Sequence, residues 1–181
     1  MAILVTGGCG YIGSHVCVEL LQAGYDVVVL DNLINSSPAV LARVRQITGK
    51  PVNFCQGDIL EEGTLGKIFV ENTIEAVMHF AGLKSVAESV SKPLTYYHNN
   101  VTGTIILLTV MKAYNVKKIV FSSSAAVYGV QKTMPISEAC PTGAVNPYGR
   151  TKVMVEEILQ GVCASDNMWS ACSLRYFNAV G

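Results

Sequence analysis

Ala2-Ile3-Leu4-Val5-Thr6 is an apolar run of strand length, and Gly7-Gly8-Cys9-Gly10-Tyr11-Ile12-Gly13 follows it without a break. Ile12, Val16 and Leu20 then recur at helical spacing, with Cys17 and Leu21 beside them, until Gly24 stops the run. A strand, a glycine turn and a helix in that order narrow the choice of fold sharply. The first turn of a helix carries backbone N–H groups without helical partners, and the helix dipole adds positive potential there, so the unit is a cradle for an anion. Gly7 suits the tight turn, Gly10 the close approach of a pyrophosphate, and Gly13 close packing of helix on strand. The glycine pattern alone fits a plain turn equally well. Its context favours a dinucleotide. Asp26 to Asp31 is a second apolar strand, and it ends in a carboxylate 18 residues after Gly13, where a dinucleotide fold places the acid that binds the adenosine ribose hydroxyls. Asp31 would repel a 2′-phosphate, and no arginine follows it until Arg43, so the expected cofactor is NAD and not NADP.

The bulk properties bound the remaining choices. A chain of 181 residues suits one domain with a sizeable core. Thirteen basic and thirteen acidic residues cancel, which gives no electrostatic case for nucleic acid or an anionic membrane as a partner. No apolar run approaches the length of a membrane span. No basic segment precedes the first apolar run, so no signal peptide is expected. Six cysteines lack any Cys-x-x-Cys spacing. They read as reduced, mostly buried thiols of a cytoplasmic protein, with Cys9 a small turn residue. His15, His79 and His98 have no metal-ligand spacing, so no metal is expected.

Strands and helices alternate along the chain. Helices are expected from Pro38 to about Ile47, Glu61 to Glu71, Leu94 to Tyr114 and Pro147 to about Cys163. Further strands are expected at Val52–Gln56, Ala76–Phe80, Lys118–Ser122 and Ala171–Phe177. Six strands with helical crossovers predict an α/β fold, a doubly wound parallel sheet (Rossmann fold) of strand order 3-2-1-4-5-6, with residues 1–181 as one NAD-binding domain. Ligands then belong beyond the carboxyl ends of the strands, at the switch point between the first and fourth.

Hydride transfer from an alcohol needs a base for the hydroxyl proton. A tyrosine serves when a nearby lysine and the positive nicotinamide favour its phenolate. Tyr-x-x-x-Lys puts both side chains on one helix face, and it occurs at Tyr114/Lys118, Tyr128/Lys132 and Tyr148/Lys152. The first pair straddles a helix end and a strand start, and the second lies in an irregular loop. Only Tyr148 and Lys152 fall in the first turns of a helix, announced by Asn146-Pro147. Ser122, Ser123 and Ser124 close the fifth strand, and alternation sets Ser123 apart from the other two. Ser124 lies farthest toward the ligand crevice and is the candidate to orient the substrate oxygen.

Several segments resemble the extended short-chain dehydrogenase/reductase family, and within it the nucleotide-sugar 4-epimerases. They are Val5-Thr6-Gly7-Gly8-Cys9-Gly10-Tyr11-Ile12-Gly13-Ser14-His15, Phe80-Ala81-Gly82-Leu83-Lys84 running on to Leu94, Tyr96-Tyr97, Asn99-Asn100, Phe121-Ser122-Ser123-Ser124, Val127-Tyr128-Gly129, Asn146-Pro147-Tyr148-Gly149 and Arg175-Tyr176-Phe177-Asn178. The resemblance covers the whole chain. It implies interconversion of UDP-glucose and UDP-galactose by transient oxidation at the sugar C4, with tightly held NAD. Tyr148 would take the proton of the 4-hydroxyl, Lys152 would favour its phenolate and hold the nicotinamide ribose, and Ser124 would bind the 4-oxygen. The NAD site it implies comprises Gly7, Gly10, Tyr11, Ile12, Gly13, Asp31, Asn32, Asn35, Ser36, Asp58, Ile59, Phe80, Ala81, Gly82, Lys84, Asn99, Ser122, Tyr148, Lys152 and Phe177. Lys84, Ser124, Tyr148 and Asn178 would face the UDP-sugar.

Arg150-Thr151 replaces the usual Lys-Ser inside the tyrosine motif, and Ala179 stands where proline is usual. Members of the family continue for roughly as many residues again, so a second, substrate-binding domain is expected to be missing from this chain, which would bind NAD without turnover. A nucleotide-sugar 4,6-dehydratase would need an Asp-Glu pair where Ala125-Ala126 stands. A non-catalytic NAD-binding module is the other alternative. The helices at Leu94–Tyr114 and Pro147–Cys163 carry apolar residues on more than one face (Ile106 and Leu107; Val153 and Val155). Family members pair through these helices, so a twofold homodimer is expected.

Overall fold

The computed structural model describes residues 1–180. Six strands form one sheet: β1 (Ala2–Thr6), β2 (Asp26–Asp31), β3 (Asn53–Gln56), β4 (Ile74–His79), β5 (Lys118–Ser124) and β6 (Ser170–Tyr176). Every pairing is parallel and the order is β3-β2-β1-β4-β5-β6, as the alternation of elements predicts. β1 sits at the centre, and all five of its residues are buried.

Period-two alternation along the strands builds two cores. Leu4, Val28, Leu30 and Val77 point to one face, where Leu65, Ile68, Leu107, Met111, Val155 and Leu159 cover them. Ile3, Val5, Val27 and Val29 point to the other, against Cys17, Leu21 and Val44. The covering helices are α3 (Glu62–Glu71), α6 (Gly103–Ala113) and α7 (Pro147–Ser165) on the first face, and α1 (Tyr11–Gln22) and α2 (Ala39–Thr48) on the second. Each strand thus delivers its carboxyl end to the same edge of the sheet.

One expected element differs. The helix predicted from Leu94 to Tyr114 is broken into α5 (Pro93–Tyr96), a π-helical stretch Tyr97–Thr102, and α6, and a separate short helix, α4 (Val86–Ser91), precedes them. Ser85 caps α4, accepting the Glu88 N–H, and Pro93 opens α5. The π stretch adds a residue to the turn at Asn99 and Asn100. Asn99 lines the cleft described below, and the buried Asn100 amide pairs with both the N–H and the C=O of Leu83. A π turn of this kind is characteristic of functional segments. Of the apolar residues expected on more than one face, Leu107 and Val155 belong to the chain's own core, while Ile106 and Val153 are half-buried. The apolar side chains that do face out on these helices are Leu94, Ile105 and Met154.

A buried chain of hydrogen bonds crosses the centre of the sheet. The Thr104 hydroxyl donates to the Asn100 carbonyl at 2.6 Å, so the His79 Nε2 must donate to Thr104 (2.9 Å). Nδ1 then accepts from the Thr6 hydroxyl at 2.7 Å. This accounting fixes one neutral tautomer. Burial first, and then the charge of Lys152, push the imidazole down to about 3. Thr6 and His79 end β1 and β4, the two strands that flank the switch point.

Candidate active site

A cleft of about 290 Å³ opens at the carboxyl ends of the strands. Its floor is the turn between β1 and α1. Gly7 takes φ +70°, and a Cβ there would sit 2.6 Å from the Ala81 nitrogen, so the β1 and β4 turns meet at a point only glycine allows. A Cβ at Gly13 would press into the Gly7 carbonyl oxygen and lie 2.9 Å from the Gly8 Cα. Gly13 therefore packs the helix on the turn itself and not on the strand below it. Gly10 is the N-cap of α1 and gives the helix no side-chain cap. Tyr11, Ile12 and Gly13 of its first turn line the cleft, and the N–H groups of a helix's first turn have no helical partner, as an anion site requires.

Asp31 ends β2 at the cleft wall, 7 % exposed. Its Oδ2 accepts the Cys9 N–H at 2.9 Å, and its Oδ1 accepts the Leu33 N–H at 2.9 Å and the Ser36 hydroxyl at 2.7 Å. About four acceptor sites exist on a carboxylate. Three are used, which fixes its orientation and leaves one for an incoming hydroxyl. Cys9 thus contributes its main chain to holding Asp31. Burial, then the charge of Asp31, push its thiol up to about 12, so it carries no reactive thiolate near neutrality.

The opposite wall carries the acid–base candidates. Asn146 caps α7 by accepting the Gly149 N–H at 2.8 Å, and Pro147 begins the helix. Tyr148 and Lys152 follow on one face, and both line the cleft. The Lys152 Nζ donates to the Ser122 carbonyl at 2.7 Å. It lies 4.7 Å from the centre of the Phe121 ring and 5.9 Å from that of Tyr148. Lys152 is 6 % exposed, and burial lowers its ammonium to about 8. A lysine so placed is a poised cation, attractive to phenolate or to ribose hydroxyls. Ser124 ends β5 on the cleft and caps the one-turn helix Ala125–Tyr128, accepting the Ala126 N–H at 3.2 Å. Its own proton is free to donate.

Most of the sequence-derived candidates meet here. Gly7, Gly10, Tyr11, Ile12, Gly13, Asp31, Asn32, Asn35, Ser36, Ile59, Phe80, Ala81, Gly82, Lys84, Asn99, Ser122, Ser124, Tyr148, Lys152 and Phe177 all line the one cleft. Asp58 and Asn178 do not. The Asp58 carboxylate accepts Asn32 Nδ2 at 2.8 Å and the Leu60 N–H at 2.9 Å, so it stands behind Asn32 and holds it. Leu30 and Gly57, which sequence reasoning missed, also line the cleft, as does Ser123, the strand-end serine that alternation set apart. Sequence reasoning likewise missed the buried set Ser123, Glu156 and Arg175. Its signal was a glutamate flanked by core positions Val155 and Leu159. Among the described residues no group of histidines, cysteines and carboxylates could hold a metal ion. No helix among them is long and apolar enough to cross a membrane.

The profile of the NAD dependent epimerase/dehydratase family matches residues 3–181. The chain is 62 % identical over 181 residues to a UDP-glucose 4-epimerase of Bacillus subtilis (strain 168), covering all of this chain and 53 % of that protein. It is 53 % identical over 186 residues to the UDP-glucose 4-epimerase of Homo sapiens, covering 99 % and 53 % respectively. The crystal structure of UDP-glucose 4-epimerase from Bifidobacterium longum in complex with NAD+ and UDP superposes with a TM-score of 0.98 at 54 % identity, over all of this chain and 54 % of that one. The chain spans about half the length of the curated relatives it matches.

Proposed function

The chain belongs to the NAD dependent epimerase/dehydratase family, and from that premise we propose that its cleft binds NAD and carries the acid–base apparatus of a UDP-glucose 4-epimerase, interconverting UDP-glucose and UDP-galactose. The observation that carries this is the meeting of Tyr148, Lys152 and Ser124 with the glycine cradle and Asp31 on the walls of one cleft. The residues present suit the dinucleotide. The uncapped start of α1 accepts a pyrophosphate, the remaining acceptor site of Asp31 suits an adenosine ribose hydroxyl, and Lys152 suits the second ribose. Bound NAD supplies the hydride acceptor and donor for the sugar C4.

The chain's own groups do the rest. Tyr148 takes the proton of the 4-hydroxyl and later returns it. Ser124 donates to the 4-oxygen, and the Lys152 ammonium, one helical turn from Tyr148 and 5.9 Å from the centre of its ring, places positive charge beside the reacting oxygens. Lys84 and Asn178 face the UDP-sugar. Residues 1–181 form the NAD-binding domain, and a further domain holds the uridine, as the length of the relatives suggests. Binding energy at that remote group is what positions the sugar for hydride transfer. Ala125-Ala126 in place of an acid pair speaks against the dehydratase alternative. The outward Leu94 of α5, Ile105 of α6 and Met154 of α7 support a homodimer through the Leu94–Tyr114 segment and α7, and the six unpaired thiols suit the cytoplasm.

The test is conversion of UDP-galactose to UDP-glucose by residues 1–181, alone and fused to the second half of a related epimerase. The expected outcome is NAD binding by both and turnover only by the fusion, abolished by Tyr148→Phe. Robust turnover by residues 1–181 alone would overturn the domain assignment, and turnover surviving Tyr148→Phe would overturn the choice of base.

A further inference from the structure

Two anchors tie α7 to the ligand end of β5. Lys152 reaches the Ser122 carbonyl, and Glu156, one helical turn later, accepts the hydroxyl of Ser123, the next residue of the strand. Glu156 is 5 % exposed and Ser123 3 %, a place where a lone carboxylate would be strongly disfavoured. Arg175 compensates it. This residue is the register partner of Ser123 on β6, and it closes a two-point pair, Nε to Oε1 at 3.1 Å and Nη2 to Oε2 at 2.7 Å. Its Nη1 donates to the Tyr128 hydroxyl at 2.9 Å, at the end of the one-turn helix that Ser124 caps. Bonding to Glu156, and then to Tyr128, holds the guanidinium above its usual range.

Well-packed apolar side chains would hold α7 to the sheet as firmly as a buried ion pair does, so adhesion alone leaves these charges unexplained. Apolar faces tolerate sliding, whereas a planar guanidinium on a carboxylate admits one geometry. We infer that Glu156, clamped by Arg175 and bonded to Ser123, is a positioning residue that fixes the register of α7 on β5 and thereby the place of the Lys152 ammonium in the cleft. The inference rests on the reading that Lys152 serves the NAD ribose and the Tyr148 phenolate. The geometry gives it a short lever. Lys152 and Glu156 are successive turns of one helix, and their partners are successive residues of one strand. A shift of α7 by one residue's rise, about 1.5 Å, would break both anchors together.

The groups that face Lys152 are Tyr148 on its own helix, the Phe121 ring and Ser122 carbonyl of β5, and His79 of β4, which stays neutral. The test replaces both members of the pair, Glu156→Leu with Arg175→Leu, so that no lone charge is left buried and the field at Lys152 changes little. A Lys152 Cε NMR titration then reads the ammonium directly, and calorimetry reads NAD affinity. In the unaltered chain burial holds the ammonium down, to about 8. The expected result is a midpoint moved by about one unit or more toward the ordinary lysine value as water reaches a misplaced ammonium. NAD binding should weaken about ten-fold, yet by less than about two-fold when the same pair is changed in a Lys152→Met background, because the effect runs through that side chain. Glu156→Asp, which keeps the charge, should fall between. An unmoved midpoint in a folded variant would overturn the inference, as would NAD losses that simply add. Collapse of the paired variant's fold would overturn it too, since the set would then hold the structure as a whole. If the unaltered chain fails to bind NAD, the proposed function fails, and the titration still decides the positioning role.

Discussion

Lys152→Met should make the protein more stable at neutral pH while removing its principal cleft cation. Burial lowers the ammonium from 10.5 to about 8 in the folded chain. Each unit is worth about 1.4 kcal/mol, so keeping the charge there at pH 7 costs folding about 3 kcal/mol. Methionine has nearly the same length, carries no charge, and loses the hydrogen bond to the Ser122 carbonyl, worth about 1 kcal/mol. The net gain is about 2 kcal/mol, which for a chain of this size is a rise of about 4–8 °C in Tm. The sign with pH follows from linkage. The folded-state value lies below the unfolded one, so between about 8 and 10.5 the unfolded chain binds more protons and the wild type gains stability from this group as pH rises. By pH 10 the remaining penalty is under about 1 kcal/mol, and the advantage of methionine should vanish. Thermal and urea unfolding of both proteins at pH 7 and pH 10, followed by circular dichroism with a thiol reductant present, measures this. A variant less stable than wild type at pH 7, or a difference that does not change with pH, would refute the reasoning. The confirmed outcome would mark Lys152 as a residue kept for chemistry at a cost in stability.

Two further expectations concern the cradle and the buried histidine. Gly13→Ala should destabilise by about 2–4 kcal/mol and abolish NAD binding, because its Cβ meets the main chain of Gly7 and Gly8; Gly161→Ala in α7, which meets nothing within 4 Å, should instead stabilise by about 0.5–1 kcal/mol in the same urea titration. The His79 ring should keep a flat Cε1–H chemical shift from pH 8 to pH 4.5, and a titration near 6.5 would contradict the buried neutral tautomer. Its folded-state value is depressed to about 3, so the unfolded chain takes up the proton first and this group withdraws stability as pH falls below about 6.5.

The order of the sheet was legible because strands and helices strictly alternate, and right-handed crossovers leave few ways to wind them. The cleft followed from that order, since strand ends converge wherever the winding reverses. What escaped were features that depend on a third element. The π turn at Tyr97–Thr102 has the composition of an α-helix, and only the docking of Asn100 on Leu83 reveals it. The pairing of Glu156 with Arg175 needs β6 beside β5 before it can be seen.

Assignment of the cleft to NAD rests on Asp31 and the cradle of α1. Calorimetric titration of residues 1–181 with NAD and, separately, NADP tests it most directly. The expected result is saturable, one-to-one binding of NAD and at least about ten-fold weaker binding of NADP, a difference of about 1.4 kcal/mol. Absence of NAD binding by the folded chain, or NADP binding as tight as NAD, would contradict it.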